Sequence, residues 1–113
     1  HQGVVLVGYS QGASRVVWLG YRFPEAFPRL GVIAIAKEPQ AGYLIKQERV
    51  LLMGGELDVR HHIKDARDAL LKQGTPVKYL ELPDARHGEY GPEAERVMDE
   101  GIGWLFGEEP APQ

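Results

Sequence analysis

At 113 residues the chain has the length for one domain with a modest core. A hydrophobic fraction of 43% and a charged fraction of 26% are ordinary for a globular protein, and a net charge of −3 with no block of like charge gives no nucleic-acid footprint and no basic membrane patch. The lack of cysteine excludes disulfides, thiolate metal sites and a cysteine nucleophile, and no apolar run is long enough to span a bilayer.

The chain has no internal repeat, and His1-Gln2-Gly3 has neither the basic region nor the lead-in of a signal peptide, which makes the cytoplasm the default expectation, short of what precedes His1. Val4 to Val7 is a continuous apolar run, the pattern of a strand buried on both faces of a parallel sheet. It stops at Gly8-Tyr9-Ser10-Gln11-Gly12, a G-x-S-x-G turn, and a helical pattern follows from Ala13 to Tyr21, dense enough in Val16, Val17, Trp18 and Leu19 for a largely buried helix. Strand, sharp turn and helix in that order present a serine hydroxyl at the carboxyl end of a strand. Glycines on both sides are read as removing side chains that would collide with a strained turn. The competing reading, Ser10 as an ordinary helix N-cap, accounts for the serine but not for both glycines.

Phe23 to Pro28 ends the helix, and Gly31 to Ala36 reads as a second buried strand before a loop marked by Lys37, Glu38, Pro39 and Gly42. Val50 to Met53, preceded by the charged Lys46-Gln47-Glu48-Arg49, is a third strand running into Gly54-Gly55-Glu56-Leu57-Asp58. His61 to Gln73 has the spacing of an amphipathic helix through Ile63, Ala66, Ala69 and Leu70, with Gly74 just past its end. Val77 to Leu82 is a fourth strand, Pro83 to Gly88 a loop, and a last helix opens near Pro92 and runs to Phe106. One domain over residues 1–107 and a disordered tail over 108–113 result. Alternation of strands and helices predicts an α/β architecture, a parallel sheet with flanking helices.

In a parallel sheet the carboxyl ends of the strands share one edge, and sites are built there. Ser10, Asp58 and His87 each follow a predicted strand, so they can converge. Serine needs a base to take its proton, histidine suits that near neutral pH, and a carboxylate fixes the imidazole tautomer. Each has a plainer alternative: Asp58 as a helix-capping acid, His87 as a surface histidine. Glu56 and Asp84 compete with Asp58 for the acid position, Asp84 from too near His87 in sequence to reach around it. His61 and His62 are read as solvent-facing and lack the paired spacing of a helical zinc site, so no metal or cofactor is expected. His1 has no assigned role.

On Gly8-Tyr9-Ser10-Gln11-Gly12-Ala13, Gly54-Gly55-Glu56-Leu57-Asp58 and Ala85-Arg86-His87-Gly88, the chain resembles the C-terminal half of an α/β-hydrolase, within that superfamily the dienelactone hydrolase and carboxylesterase-like members. The similarity runs from about Val4 to Leu105. The resemblance implies Ser10 as nucleophile, His87 as general base and acid, Asp58 as orienting acid and the Gln11 N–H as one oxyanion donor, acting on a small-molecule ester or thioester. It leaves a prolyl-oligopeptidase-type peptidase and a non-catalytic interaction module as alternatives. Tyr9 and Tyr43 are candidate pocket residues, simple packing being the alternative for both, and the short segment from Glu38 to Arg49 suggests an open site. Members of the family have strands before the nucleophile strand and a second oxyanion donor there, neither of which is in this sequence. The expectation is therefore a partial sequence, or a homodimer, with the missing N-terminal segment or the second copy covering an exposed apolar edge. The isolated chain should be a weak catalyst.

Overall fold

The computed structural model describes residues 4–35, 39 and 41–107. The expected tail over 108–113, and Ala36, Lys37 and Glu38 of the expected second strand and loop, lie outside the described residues. In chain order the elements are β1 (Val5–Tyr9), α1 (Gln11–Arg22), β2 (Arg29–Ile33), a 3-10 turn (Ala41–Tyr43), β3 (Arg49–Gly55), α2 (His61–Lys72), β4 (Val77–Leu82) and α3 (Ala94–Phe106). The sheet is parallel throughout, in the order β1-β2-β3-β4, with Val5 opposite Arg29, Arg29 opposite Arg49 and Val50 opposite Val77.

Strand residues alternate between two cores, as the two-residue period of a pleated strand requires. Leu6, Leu30, Val32, Val50, Leu52, Val77 and Tyr79 face α1 and α2. Val5, Tyr9, Ile33, Leu51, Met53, Leu80 and Leu82 face α3. Leu30, Val50, Leu51, Leu52 and Met53 are wholly inaccessible. Burying such a side chain contributes about 1.5–3 kcal/mol, so a one-residue slip that exchanged the two faces is strongly opposed.

Four details depart from the sequence reading. Strands β2 and β3 begin at Arg29 and Arg49, both buried, rather than at the first aliphatic residue. Both have partners for their guanidinium groups. Arg29 pairs with Glu48 and donates to the carbonyls of Leu105 (2.6 Å) and Gly107 (2.7 Å). Arg49 donates to the carbonyl of Trp104 and lies over its ring. Two strand-opening arginines thus bind carbonyls at the α3 carboxyl end, where the last turn leaves acceptors exposed; that of Trp104 also accepts the Gly107 N–H. Trp18 is half exposed, because α1 covers the sheet only through Ala13, Val16, Val17 and Gly20. His62 is buried, not solvent-facing, and donates from Nε2 to the Ile35 carbonyl at 2.7 Å, while His61 stays outside with its ring edge-on to that of His62. The helical period places His62 beside the core residues Ile63 and Ala66, and the carbonyl offers the partner that makes its burial tolerable. Finally, a Cβ at Gly12 would meet nothing within 4 Å, so steric exclusion at the turn rests on Gly8 alone.

Among the described residues β1 is hydrogen-bonded on one side, to β2, and Val7 on it is 42% exposed.

Candidate active site

The carboxyl edge of the sheet gathers the loops that follow β1, β3 and β4. At the first, Ser10 has φ 56° and ψ −113°, a conformation that a non-glycine residue adopts only under constraint. The constraint is visible. The Ser10 N–H donates to the Ile33 carbonyl at 2.8 Å, extending the β1–β2 ladder by one residue, and α1 begins at Gln11 directly afterwards. To turn that sharply the strand must pass against the helix it enters: a Cβ on Gly8 would lie 2.3 Å from the Gly12 carbonyl oxygen and 2.7 Å from a Val16 methyl. The Ser10 hydroxyl makes no capping bond to α1, which rules out the N-cap reading of this residue.

The hydroxyl is instead 3.2 Å from His87 Nε2, and His87 Nδ1 is 2.9 Å from Asp58 Oδ2. A carboxylate only accepts, so the Asp58 contact places the ring hydrogen on Nδ1 and leaves Nε2 to accept the serine proton. The other carboxylate oxygen of Asp58 accepts the Val59 N–H at 2.8 Å, and the side chain of Asp58 is 16% exposed against 46% for His87.

Asp58 and His87 are held in register by their loops. The Glu56 N–H donates to the Leu82 carbonyl and the Leu57 N–H to the Ala85 carbonyl, both at 2.9 Å. Gly55 permits the approach, since a Cβ there would lie 2.4 Å from the Ala85 carbonyl oxygen. Of the competing acids, Glu56 accepts the Asp84 N–H at 2.9 Å and so braces the loop that carries His87, and Asp84 supplies that N–H from a left-handed turn (φ 57°); neither bonds the imidazole. Behind the acid loop, Arg60 pairs with Glu81 at the end of β4, and Tyr79 donates to the same carboxylate at 2.7 Å. Burial alone would raise Glu81, but the hydrogen bonds from Tyr79 and Arg60 outweigh it and hold its carboxyl below the ordinary value. Burial, reinforced by the Glu81 contact, raises the Tyr79 phenol. Nothing in the spacing of Tyr79, Glu81 and Arg60 along the sequence singles this cluster out.

Gln11, the expected oxyanion donor, is the first residue of α1, where backbone N–H groups have no intrahelical acceptor and the helix dipole favours negative charge. Tyr9 stands at the site with its hydroxyl engaged: it accepts the Gly88 N–H at 3.0 Å, and its ring lies against those of Tyr90 and His87. Tyr43 is not brought to the site. It stacks on Tyr21, ring centroids 4.2 Å apart, in the last turns of α1, about 16 Å of helix rise away from Ser10. The alternation of β1 sends Tyr9 to the α3 side, where the histidine loop lies, whereas Tyr43 sits on the 3-10 turn packed against α1 and α2. Among the described residues no group of three or more histidine, aspartate or glutamate side chains is placed to hold a metal ion.

No protein-family model matches the chain, and no curated protein matches it. Solved structures do. A thermostable esterase superposes with a TM-score of 0.71 at 21% identity over 90% of this chain and 30% of its own. A dipeptidyl aminopeptidase IV-like protein of Bacteroides ovatus gives 0.67 at 18% identity, over 88% of this chain and 18% of its own. An S-formylglutathione hydrolase of Staphylococcus aureus gives 0.66 at 17% identity, over 89% and 50%. The chain thus spans half or less of the length of these proteins. What the likeness carries at such identities is the fold: from β1 to α3 this chain is folded like part of an α/β-hydrolase.

Proposed function

We propose that the chain carries the catalytic residues of a serine hydrolase that cleaves carboxylic esters or thioesters through an acyl-enzyme. The observation that supports this is the unbroken series Asp58–His87–Ser10, 2.9 and 3.2 Å, ending on a serine whose backbone is strained and whose hydroxyl caps nothing. In this reading Ser10 Oγ attacks the acyl carbonyl while His87 Nε2 takes its proton, and Asp58 stabilises the imidazolium. His87 then returns the proton to the leaving alcohol or thiol, and a water activated by the same nitrogen releases the acid. The Gln11 N–H faces the oxyanion.

The reading is tested with a fluorophosphonate probe, which should label the protein once, at Ser10, and not the Ser10→Ala variant. Failure of the intact protein to label would leave the hydrolase-fold interaction module as the better account. A peptidase of the prolyl-oligopeptidase type is the second reading, supported by the likeness to the dipeptidyl aminopeptidase IV-like protein. Turnover of p-nitrophenyl esters without turnover of proline-containing peptide anilides separates the two.

A further inference from the structure

The three site loops are not equally anchored. Ser10 is held by the strand ladder and Asp58 by backbone bonds to the β4 loop, but the histidine loop projects outward, with Arg86, His87, Gly88, Glu89 and Tyr90 all exposed. Within it, Arg86 and Glu89 satisfy each other, through Glu89 N–H to the Arg86 carbonyl (3.0 Å) and Arg86 N–H to Glu89 Oε1 (2.9 Å). Such local bonds shape the tip of the loop without fixing where it sits, and the bonds to the acid loop, at Asp84 and Ala85, hold only its base. Two contacts reach from it to β1 and the elbow: His87 Nε2 to the Ser10 hydroxyl and the Gly88 N–H to the Tyr9 hydroxyl, 3.0 Å. The second comes from the residue next to the imidazole and ends on the residue next to the nucleophile. The Tyr9 ring is itself wedged, 5.2 Å from the Tyr90 ring and stacked toward His87 at 6.4 Å.

We propose that Tyr9 is a positioning residue of the site: its hydroxyl clamps the histidine loop through the Gly88 N–H and keeps the imidazole between Asp58 and Ser10. The proposal rests on the hydrolase reading for its consequence in catalysis, but the clamp itself is measurable without turnover. The bond from the Gly88 N–H to the Tyr9 hydroxyl uses neither the serine oxygen nor a ring nitrogen, so neither acylation of the serine nor proton exchange at the histidine removes it. The clamp therefore acts throughout the cycle, unlike the serine–histidine bond, which is broken once the serine is esterified.

The test is Tyr9→Phe, which keeps the ring and removes the clamp, with Tyr90→Phe as the variant that removes a hydroxyl from the same cluster and leaves the clamp intact. Four readings are taken: hydrogen exchange of the Gly88 amide, the low-field imidazole N–H resonance of His87 on Asp58, the rate of phosphonylation of Ser10, and ester kcat and KM. In Tyr9→Phe the Gly88 amide exchanges about tenfold faster, the His87 resonance broadens or disappears, and phosphonylation slows by about tenfold, the scale of one hydrogen bond. Ester kcat falls with KM unchanged, because the loss is in the arrangement of the catalytic groups and not in substrate binding. Tyr90→Phe leaves all of these as in the parent protein. A folded Tyr9→Phe protein with an unaltered His87 resonance and unaltered Gly88 exchange overturns the proposal. If that variant does not fold, the parent protein decides: a Gly88 amide that exchanges at the unprotected rate refutes the clamp, and a protected one supports it. Absence of phosphonylation in the parent refutes the hydrolase reading, while the resonance and exchange measurements still decide the clamp.

Discussion

Alanine at Gly8 and alanine at Gly12 should move stability in opposite directions. The two glycines flank the same serine at the same spacing, so a rule based on the motif alone treats them alike. At Gly8 the new methyl would sit 2.3 Å from a backbone carbonyl oxygen of Gly12 and 2.5 Å from its carbon. Neither atom can rotate away, because the carbonyl belongs to the first turn of α1 and the strand is locked to β2 through the Gly8–Val32 register and the Ser10–Ile33 bond. Relief requires pushing strand and helix apart. Overpacking of this kind costs about 1–3 kcal/mol, and a backbone-on-backbone clash belongs at the upper end. The entropy gained by replacing glycine in a strand returns about 0.5–1 kcal/mol, leaving a net loss of about 2. At Gly12 no atom lies within 4 Å of the added carbon and the residue is helical, so alanine should stabilise by about 0.5–1 kcal/mol. The two variants should differ by about 3 kcal/mol, or some hundredfold in the unfolding equilibrium. Urea unfolding followed by tryptophan fluorescence measures both, with equal slopes required for the comparison. Phosphonylation of Ser10 should fall in Gly8→Ala and persist in Gly12→Ala. A Gly8→Ala protein as stable as the parent, or a Gly12→Ala protein destabilised by as much as Gly8→Ala, would refute the assignment of the close approach to Gly8.

Asp58→Asn preserves the shape of the acid but no longer enforces the tautomer with hydrogen on Nδ1; by analogy with serine protease triads, ester turnover should drop by about 10⁴, read as kcat/KM at fixed pH with the fold checked by circular dichroism. Glu81 has a folded-state pKa below its ordinary value of 4.5, so its contribution to stability is fully present above that pH and is lost as pH falls through the lowered folded value. Urea unfolding between neutral pH and pH 3 should therefore show a loss that is smaller in Glu81→Gln, and an equal loss in both proteins would remove Glu81 from the acid response. His62→Ala leaves the Ile35 carbonyl without its donor and a void beside Ile63, and should cost about 2–4 kcal/mol, whereas His61→Ala stays within about 0.5 kcal/mol; equal effects in thermal unfolding would contradict the burial of His62.

What was legible in the sequence was whatever a period or a turn residue records. Aliphatic runs marked the strands, and since every strand is parallel, the ends of β1, β3 and β4 had to lie on one edge; the convergence of Ser10, Asp58 and His87 follows from topology before any side chain is placed. Illegible were features that depend on partners distant in sequence. Arg29 and Arg49 look like loop residues until the α3 carboxyl end, which they bind, is known to lie beside them. His62 looks like its neighbour His61 until the Ile35 carbonyl is in place. Trp18 looks buried by composition, but α1 has one covered stripe, and Trp18 is off it. Tyr9 and Tyr43 are indistinguishable as tyrosines near glycines; only the face on which each lands separates the one at the site from the one at the far end of α1.

The distribution of rigidity in the site follows from the same geometry. A nucleophile in a disfavoured backbone conformation costs of order 1–3 kcal/mol and persists only where neighbours over-determine it. Here the strand ladder and the start of α1 do so, through bonds that do not involve the hydroxyl. The acid is similarly fixed from behind, by Val59 and by backbone bonds from the acid loop to Leu82 and Ala85. The imidazole has a side chain 46% exposed, on a loop whose base is tied to the acid loop and whose tip is closed on itself by Arg86 and Glu89. The proton transfer proposed above requires the ring to hold both its distances while its charge changes, and a large rearrangement of the backbone would lose the alignment between them. An imidazole on a short loop, tethered at its next residue to the strand that leads to the serine, meets both demands. On the proposed clamp, the position of the most exposed member depends on its tether to β1 rather than on the strain at the serine.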